Sequence, residues 1–185
     1  MASVHVFVYN LVVSQDAGGF PVDLPSYISG YVDGEGCFTV SFSRRTKMRG
    51  GWEVRPSFSV SQNSDRGEVL SEMLAYFGCG TIRPDRSDQT VKYEVRDIRS
   101  LQLQVIPHFL AFPLRSSKRR DFERFAAVCD LVGRRAHLTE AGFVEVVTIA
   151  TEMNPSGRRK FTRAELLGPQ ETKVIVSATS DGGLP

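Results

Sequence analysis

The sequence predicts an α+β fold built on an antiparallel β-sheet. Two pairs of short segments alternate between apolar and polar residues, residues 37–42 with 52–62 and residues 81–84 with 90–96. A turn joins the members of each pair, and strands joined in this way run antiparallel. Segments with helical periodicity precede, separate and follow the pairs. The predicted order is therefore α-β-β-α-β-β-α-α-α, in which helices and hairpins alternate.

The first two helices have clear start or stop signals. Asp23 is a residue type that caps helices, and apolar residues recur every three or four positions over residues 24–32, so the first helix should end near Asp33. A second helical pattern covers residues 69–77, where Gly78 provides the stop.

Three helices and a last short helical piece are predicted after the second hairpin. Pro107 is expected to end the first of them, because proline removes a backbone donor and clashes with the preceding turn. The four predicted segments are residues 98–106, 118–132, 140–153 and 161–167.

The chain length suits a single main domain with flanking segments. Of the 185 residues, 41% are apolar, which is enough for a hydrophobic core. Glycines and a proline separate an N-terminal extension, residues 1–22, from the predicted domain, residues 23–167. Residues 168–185 contain few large apolar side chains and are predicted to be a disordered tail.

Charge and cysteine content limit the classes of function. The net charge of +2 does not by itself indicate a nucleic-acid partner, but basic residues cluster within residues 44–66 and 115–135, which predicts one basic face. The three cysteines are widely spaced and form no CxxC pair, which disfavours a zinc site and favours a reducing compartment inside the cell. The apolar run over residues 4–13 lacks a basic leader and is too short to span a membrane, so we expect neither secretion nor a membrane partner.

Two acids lie among glycines where the first helix should end. The segment VDGEG, residues 32–36, has three interpretations: a hairpin turn, a helix end that needs glycine, or a metal site. The C-terminus of a helix carries partial negative charge, so Asp33 and Glu35 need a compensating cation there. A Mg²⁺ ion would supply that charge through carboxylate and carbonyl oxygens.

The segment YISGYVDGEG, residues 27–36, resembles the LAGLIDADG motif of homing endonucleases and related maturases. The match runs from Ile28 to Gly36, with Ile28 and Ser29 as mild departures. The segments CFTVSF, FGCG and FPLRSSKRRDF further along the chain are also similar to the family, and the resemblance covers roughly residues 24–150. It implies an antiparallel DNA-binding saddle sheet backed by helices, with an αββαββα core.

The motif occurs once in the chain, and single-motif members of the family are homodimers. The resemblance implies that Glu35 binds Mg²⁺, with the carbonyl of Gly34 as a further ligand, and that Mn²⁺ or Ca²⁺ can substitute for binding. Asp33 would cap the helix or bridge the helix pair. The residues expected at the dimer interface are Ile28, Ser29, Tyr31, Val32 and Asp33.

Three further residues are candidates for the active site by the same resemblance. Gln62 would position a water molecule, and Arg66 would stand near the scissile phosphate. Lys118, or its neighbour Arg119, would stabilise charge on that phosphate or polarise the water. The alternatives are a solvated strand end for Gln62, an exposed residue at the start of a helix for Arg66, and a contact to the phosphate backbone or a solvated helix start for Lys118.

A polar, basic face of the sheet is the predicted DNA-binding surface, because such side chains read base edges in the major groove and contact phosphates. The alternative is the hydrated side of a half-covered sheet. The strand residues predicted to contact DNA are Thr39, Ser41, Ser43, Arg55, Ser57, Ser59, Ser61, Arg83, Lys92, Glu94 and Arg96. In the first hairpin loop, the residues predicted to contact DNA phosphates are Arg44, Arg45, Lys47 and Arg49.

The predicted function is that of a homodimeric homing endonuclease. It would make double-strand breaks in a long, nearly palindromic DNA target by Mg²⁺-dependent phosphodiester hydrolysis. Within the same family, the alternatives are a catalytically silent maturase that acts on RNA and a DNA-binding regulator. A third alternative is an α+β protein without a nucleic-acid partner, in which DGEG is only a turn.

Overall fold

The computed structural model describes residues 23–48, 50–84, 89–155, 157 and 159–168. The predictions for the N-terminal extension, for nearly all of the C-terminal tail and for Arg49 lie outside these residues. The helices are α1 (Leu24–Glu35), α2 (Glu68–Phe77), α3 (Ile98–Ser100), α4 (Ile106–Ala111), α5 (Lys118–Gly133), α6 (Glu140–Thr151) and α7 (Arg163–Leu167). The strands are β1 (Gly36–Arg44), β2 (Trp52–Asn63), β3 (Thr81–Pro84) and β4 (Thr90–Val95).

The four strands form one antiparallel sheet in the order β1-β2-β4-β3. This arrangement confirms the predicted α+β class and both predicted hairpins. In the register, Phe38 lies opposite Phe58, and Val60 lies opposite Tyr93. Directly opposed residues project from the same side of a sheet, so these four side chains share one apolar face.

Aromatic side chains dominate the core between this apolar face and the helices. The ring centroid of Phe38 lies 5.2 Å from that of Phe58 and 5.4 Å from that of Phe109 on α4. Phe122 and Phe125 bring α5 onto the same cluster. Aromatic residues bury large apolar areas, so this cluster fixes α4 and α5 against β1 and β2.

Helix α1 begins as predicted and runs directly into β1. The carboxylate of Asp23 accepts a hydrogen bond from the Ser26 hydroxyl at 2.5 Å, and Pro25 lies in the first turn. The helix extends to Glu35 instead of ending near Asp33. Gly36 allows the abrupt change to strand, because a Cβ atom there would lie 2.8 Å from the Val32 carbonyl oxygen.

The prediction that Pro107 ends a helix is wrong. Helical backbone continues from α3 through residues 101–105 into α4, and Pro107 lies in the first turn of α4. Residues 101–105 form a wide π-helical turn that ends two residues before the proline. A wider turn and a first-turn position both accommodate a proline ring and its missing amide.

Across the described ranges, none of the helices is long and apolar enough to cross a lipid bilayer.

Candidate active site

One face of α1 packs into the chain's own core. Ile28 and Val32 are fully buried, and Ser29 donates a hydrogen bond of 2.7 Å to the carbonyl of Phe112. The prediction that these three side chains form a dimer interface is therefore wrong, because they already contact the sheet and α4. The opposite face of α1 carries Tyr27, which is 45% exposed, and Gly30, which is exposed as well.

Asp33 fixes the segment that leads into α5. Its carboxylate accepts hydrogen bonds from the Arg115 amide at 2.6 Å and from the Ser116 hydroxyl at 2.7 Å. Burial raises the pKa of Asp33, but these hydrogen bonds and the charge of Lys118 outweigh it and lower the pKa below the ordinary value. Asp33 therefore braces a contact within one chain, while its predicted role as a bridge across a helix pair stays a prediction.

Lys118 supplies a positive charge at the C-terminus of α1. Its Nζ atom donates hydrogen bonds to the carbonyl oxygens of Val32 at 2.9 Å, Gly34 at 3.2 Å and Gly36 at 2.5 Å. The Ser116 hydroxyl also accepts a hydrogen bond from the Lys118 amide at 3.1 Å, which links Lys118 to the loop that Asp33 holds. The partial negative charge at this helix end was expected to need a compensating cation. Within this chain, the Lys118 ammonium group supplies that positive charge.

Glu35 is the last residue of α1 and is exposed. It forms no hydrogen bond or ion pair with the part of the chain that the structure describes. Its carboxylate is therefore available to a ligand, on the same helix end whose carbonyl groups bind Lys118.

Gln62 lies near the end of β2 on the side of α1, and Arg66 lies in the turn that follows β2. The Gln62 amide donates a hydrogen bond to the Tyr31 hydroxyl, and Tyr31 precedes Glu35 by one helical turn. Arg66 is the last residue of a short 3₁₀ turn after β2 and is exposed, without an ion pair to any described residue. The structure thus brings Gln62 to the face of α1 that carries Glu35. Arg66, four residues after Gln62 in the sequence, is exposed to solvent.

The oxygen donors at this helix end suit a hard cation but form only part of a ligand set. Among the described residues there is no group of three or more histidine, cysteine, aspartate or glutamate side chains that could hold a metal ion. Glu35 offers one carboxylate, and the Gly34 carbonyl offers a second oxygen. Because Mg²⁺ and Ca²⁺ bind six or more oxygens, the remaining ligands must come from water, a substrate or another chain.

The predicted DNA-binding residues of the strands share one face of the sheet. The register places Ser41 opposite Arg55, Ser61 opposite Lys92, and Lys92 opposite Arg83. This pairing confirms their common orientation, away from the aromatic core.

Four of the predicted contact residues differ from expectation. Ser57, Ser59 and Glu94 are buried, each less than 10% exposed, so they are not open to a ligand in this structure. Arg44 lies on the opposite side of β1, where its guanidinium carbon is 4.6 Å from the ring centroid of Trp52. The sequence predicted that Arg44 belongs to the hairpin loop, but Arg44 is the last residue of β1. Because side chains alternate along a strand, Arg44 projects from the side opposite to Ser43.

Two residues near the site were not predicted from the sequence. His108 is buried between the Ser29 hydroxyl at 3.1 Å and the Tyr76 hydroxyl at 3.0 Å, and burial lowers its pKa to about 4. It therefore has a structural role under α1. Ser116 links Asp33 to Lys118, and its position just before a helix of basic residues is the signal that would have identified it.

Curated relatives of the chain include intron-associated proteins. The homing endonuclease I-ApeII of Aeropyrum pernix is 32% identical over 150 residues, which are 78% of this chain and 88% of that protein. An uncharacterized 50.9 kDa protein in ND4 intron 1 of Podospora anserina is 35% identical over 118 residues, 63% of this chain and 26% of that protein. The probable intron-encoded endonuclease 3 of Neurospora crassa is 32% identical over 150 residues, 80% of this chain and 28% of that protein. The chain thus spans little more than a quarter of the length of the latter two relatives.

Solved structures share the fold. The homing endonuclease I-TnaI superposes with a TM-score of 0.68 at 32% identity, covering 82% of this chain and 97% of that chain. The LAGLIDADG homing endonuclease I-LtrWI, solved with its target DNA, has a TM-score of 0.69 at 32% identity, covering 71% of this chain and 44% of that chain. I-SmaMI, bound to uncleaved DNA in the presence of calcium ions, has a TM-score of 0.69 at 28% identity, covering 74% and 46%.

The sequence profile of one family spans the motif helix, the sheet and most of α5. It is described as LAGLIDADG endonuclease and matches residues 28–129, more than half of the chain. The similarity in sequence and the shared fold confirm the resemblance seen in residues 27–36. The chain belongs to the LAGLIDADG endonuclease family.

Proposed function

We propose that this chain is a homing endonuclease that cuts both strands of a specific DNA site as a Mg²⁺-dependent homodimer. The observation that carries the proposal is the exposed Glu35 carboxylate at the end of the motif helix, whose carbonyl groups accept hydrogen bonds from the Lys118 ammonium group. A protein that only bound DNA would gain nothing from an open carboxylate next to phosphates, because like charges repel.

Within each active site, Glu35 and the Gly34 carbonyl would hold the metal ion. Bound Mg²⁺ would activate water for attack on the phosphate and neutralise charge on the oxygens. Lys118 places a positive charge at the same helix end, where it would stabilise the negative charge that develops on the phosphate during cleavage. Gln62, held by Tyr31, would orient the attacking water, and the exposed Arg66 would contact the phosphate.

The exposed face of α1 supports pairing with a second copy. A Cβ atom at Gly30 or Gly34 would meet nothing within 4 Å, so packing within the chain does not require glycine at either position. Glycine inside a helix costs roughly 0.5–1 kcal/mol relative to alanine, so some other constraint favours it there. Close approach of the two motif helices in a twofold dimer supplies such a constraint.

The relative lengths of the solved structures fit the same arrangement. The match covers 97% of I-TnaI but only 44% of I-LtrWI, so the aligned part of this chain corresponds to nearly half of the DNA-bound I-LtrWI protein. Two copies of this chain would present two sheets and two Glu35 carboxylates. Their twofold-symmetric surface would match a nearly palindromic DNA site.

The polar face of the sheet would bind the DNA duplex. Arg55, Lys92 and Ser61 lie on this face, and the exposed Lys47 lies in the loop beyond it. Arginine and serine read base edges, and lysine contacts phosphates. The names of the Podospora and Neurospora relatives, which refer to introns, support an intron-encoded origin and an exon junction as the target.

A cleavage assay on a pool of duplexes tests the proposal. The full chain is incubated with randomised and exon-derived DNA, with Mg²⁺ or with a chelator. We expect cleavage at a discrete site only with Mg²⁺, and binding that weakens steeply as salt rises. Specific binding without cleavage would indicate a regulator, and preferential binding of intron RNA without DNA cleavage would indicate a maturase; either result would overturn the proposal.

A further inference from the structure

Glu94 is a buried carboxylate in the middle of the face proposed to bind DNA. Its side chain is only 7% exposed. One oxygen, Oε1, accepts a hydrogen bond from the Ser57 hydroxyl at 2.9 Å and lies 3.0 Å from Arg96 Nε. The other oxygen, Oε2, accepts a hydrogen bond from Arg83 Nη2 at 2.8 Å. A single carboxylate on β4 therefore holds two arginine side chains, Arg83 from β3 and Arg96 from the residue that follows β4.

The carboxylate is charged in this position. Burial raises the pKa of Glu94, but the hydrogen bonds from Ser57 and Arg96 and the charges of Arg96 and Lys92 outweigh it and lower the pKa. A buried anion under a DNA-binding face repels phosphate and therefore opposes non-specific binding. The presence of Glu94 on this face is explained if the fixed orientation of the two arginine side chains favours binding of the specific site by more free energy than the repulsion costs.

The Nη end of the Arg96 side chain has no hydrogen-bond partner among the residues that the structure describes. Arg96 uses Nε for the ion pair with Glu94, so within these residues both Nη atoms remain available as a fork, and its side chain is 60% exposed. A guanidinium fork matches the O6 and N7 acceptors of guanine in the major groove. Arg83 is held by one Nη atom and is 59% exposed beside it.

We propose that Glu94 is a positioning residue for base recognition, which holds Arg96 with its Nη fork directed at a guanine of the target. Glu94 itself contacts no base, in contrast to the direct contact predicted from the sequence. The inference rests on the proposed DNA-binding function and assigns a specificity-determining pair within it.

A second cluster on the same face offers a matched control. Glu53 pairs with Arg45 and Arg55, both at 2.7 Å, but its side chain is 30% exposed. The carboxylate–arginine pairing is the same as at Glu94, but Glu53 lies at the start of β2, away from Ser59, the residue of β2 that lies opposite Glu94. Substitution of Glu53 therefore removes an equivalent charge without releasing Arg96.

The test is selection from a pool of randomised double-stranded DNA, in Ca²⁺ to limit cleavage. The proteins compared are the wild type, Glu94→Gln, Arg96→Lys, the double variant and Glu53→Gln. Arg96→Lys keeps the charge but has no fork, and it alters an exposed side chain that the core does not need. We expect Arg96→Lys to lose preference for guanine at one base pair per half-site by about tenfold.

Glu94→Gln should lose preference at the same base pair, and the double variant should lose no more than Arg96→Lys alone. Because one negative charge is gone, Glu94→Gln should bind non-specific duplexes at least as tightly as the wild type, which a mere loss of folding would not produce. Glu53→Gln should keep the preference at that base pair. Losses that add, or that fall on different base pairs, would overturn the inference while leaving the proposed function intact.

The two proposals fail in different ways. If the wild type selects a specific site and Glu94→Gln selects the same site with unchanged preferences, the positioning role is wrong and the DNA-binding function stands. If the wild type selects no sequence and shows no salt-dependent binding, the proposed function is wrong, and the role of Glu94 is wrong with it.

Discussion

The Nζ atom of Lys118 lies 3.2 Å from the carbonyl oxygen of Gly34. The two residues are far apart in the sequence, yet the ammonium group occupies the end of α1 where the family resemblance places a metal ligand. Lys118 and a divalent cation would therefore share the partial negative charge of this helix end. A metal ion on Gly34 would use the second lone pair of an oxygen that already accepts a hydrogen bond from the ammonium group, so the two cations would repel each other at this helix end.

Lys118→Met should destabilise the fold. The variant removes three hydrogen bonds from a charged donor to the end of α1. Because water can replace part of them, we expect the free energy of unfolding to fall by about 1–3 kcal/mol. Urea unfolding at a fixed protein concentration measures the change. Arg120→Met, which alters an exposed residue on the same turn of α5, serves as the control, and equal stability of the two variants would contradict the role assigned to Lys118.

Asp33→Asn should weaken the fold at neutral pH and reduce its acid sensitivity. The folded state lowers the pKa of Asp33, so the charged carboxylate stabilises the fold above its ordinary pKa of 3.8, and this stability is lost as the pH falls through the lower folded value. We expect a loss of about 1 kcal/mol at pH 7, at the low end because water reaches the carboxylate.

The difference in free energy of unfolding between the wild type and Asp33→Asn separates the contribution of the Asp33 carboxylate from that of the other acids, which titrate in both proteins. It should stay constant from pH 7 to about pH 5 and shrink at lower pH. A difference that grows on acidification would show that the sign of the effect is wrong.

Gly30→Leu should separate the two copies without unfolding either of them. The position faces solvent and has no neighbour within 4 Å of a Cβ atom, so a single chain can accept a leucine. Two closely packed motif helices cannot. We expect sedimentation to shift from dimer to monomer and cleavage to disappear, while circular dichroism keeps its helical signal. Ala127→Leu, an exposed change on α5, is the control; if Gly30→Leu sediments like this control, α1 is not the interface.

Tyr31→Phe should slow cleavage and leave DNA binding unchanged. The phenylalanine ring preserves packing but removes the hydroxyl that accepts the Gln62 hydrogen bond. A water-positioning amide that loses its anchor should cost about tenfold in single-turnover rate. Tyr27→Phe, one turn earlier and 45% exposed, provides the comparison. Equal rates for both variants would mean that Gln62 does not need its anchor.

Local patterns in the sequence predicted most elements because the signals for them are local. The alternation in residues 37–42 and 52–62 fixed both the strands and the side of the sheet for Ser41 and Arg55. Gly78 adopts a left-handed conformation, with φ of 61°, at the predicted end of α2. Such features depend on a few neighbouring residues.

The remaining features depend on contacts between distant parts of the chain. An apolar residue of the motif can face its own sheet or a partner helix, and periodicity alone does not distinguish the two for Ile28. The contact of Lys118 with Val32 joins residues 86 positions apart, so no local pattern reports it. Glu94 is buried while it pairs with Arg83 on the neighbouring strand, a partner 11 positions away in the sequence that no local pattern reports.

The rate of double-strand cleavage by Glu35→Gln tests the central claim most directly. The variant keeps the shape of the side chain and removes the charge that would bind Mg²⁺. On the selected target, with Mg²⁺ at neutral pH, we expect single-turnover cleavage to fall by on the order of 10²–10³-fold, while dimer formation and DNA binding persist. Glu145→Gln, an exposed change on α6, should cleave at the wild-type rate. A Glu35→Gln protein that cleaves as fast as this control would contradict the account.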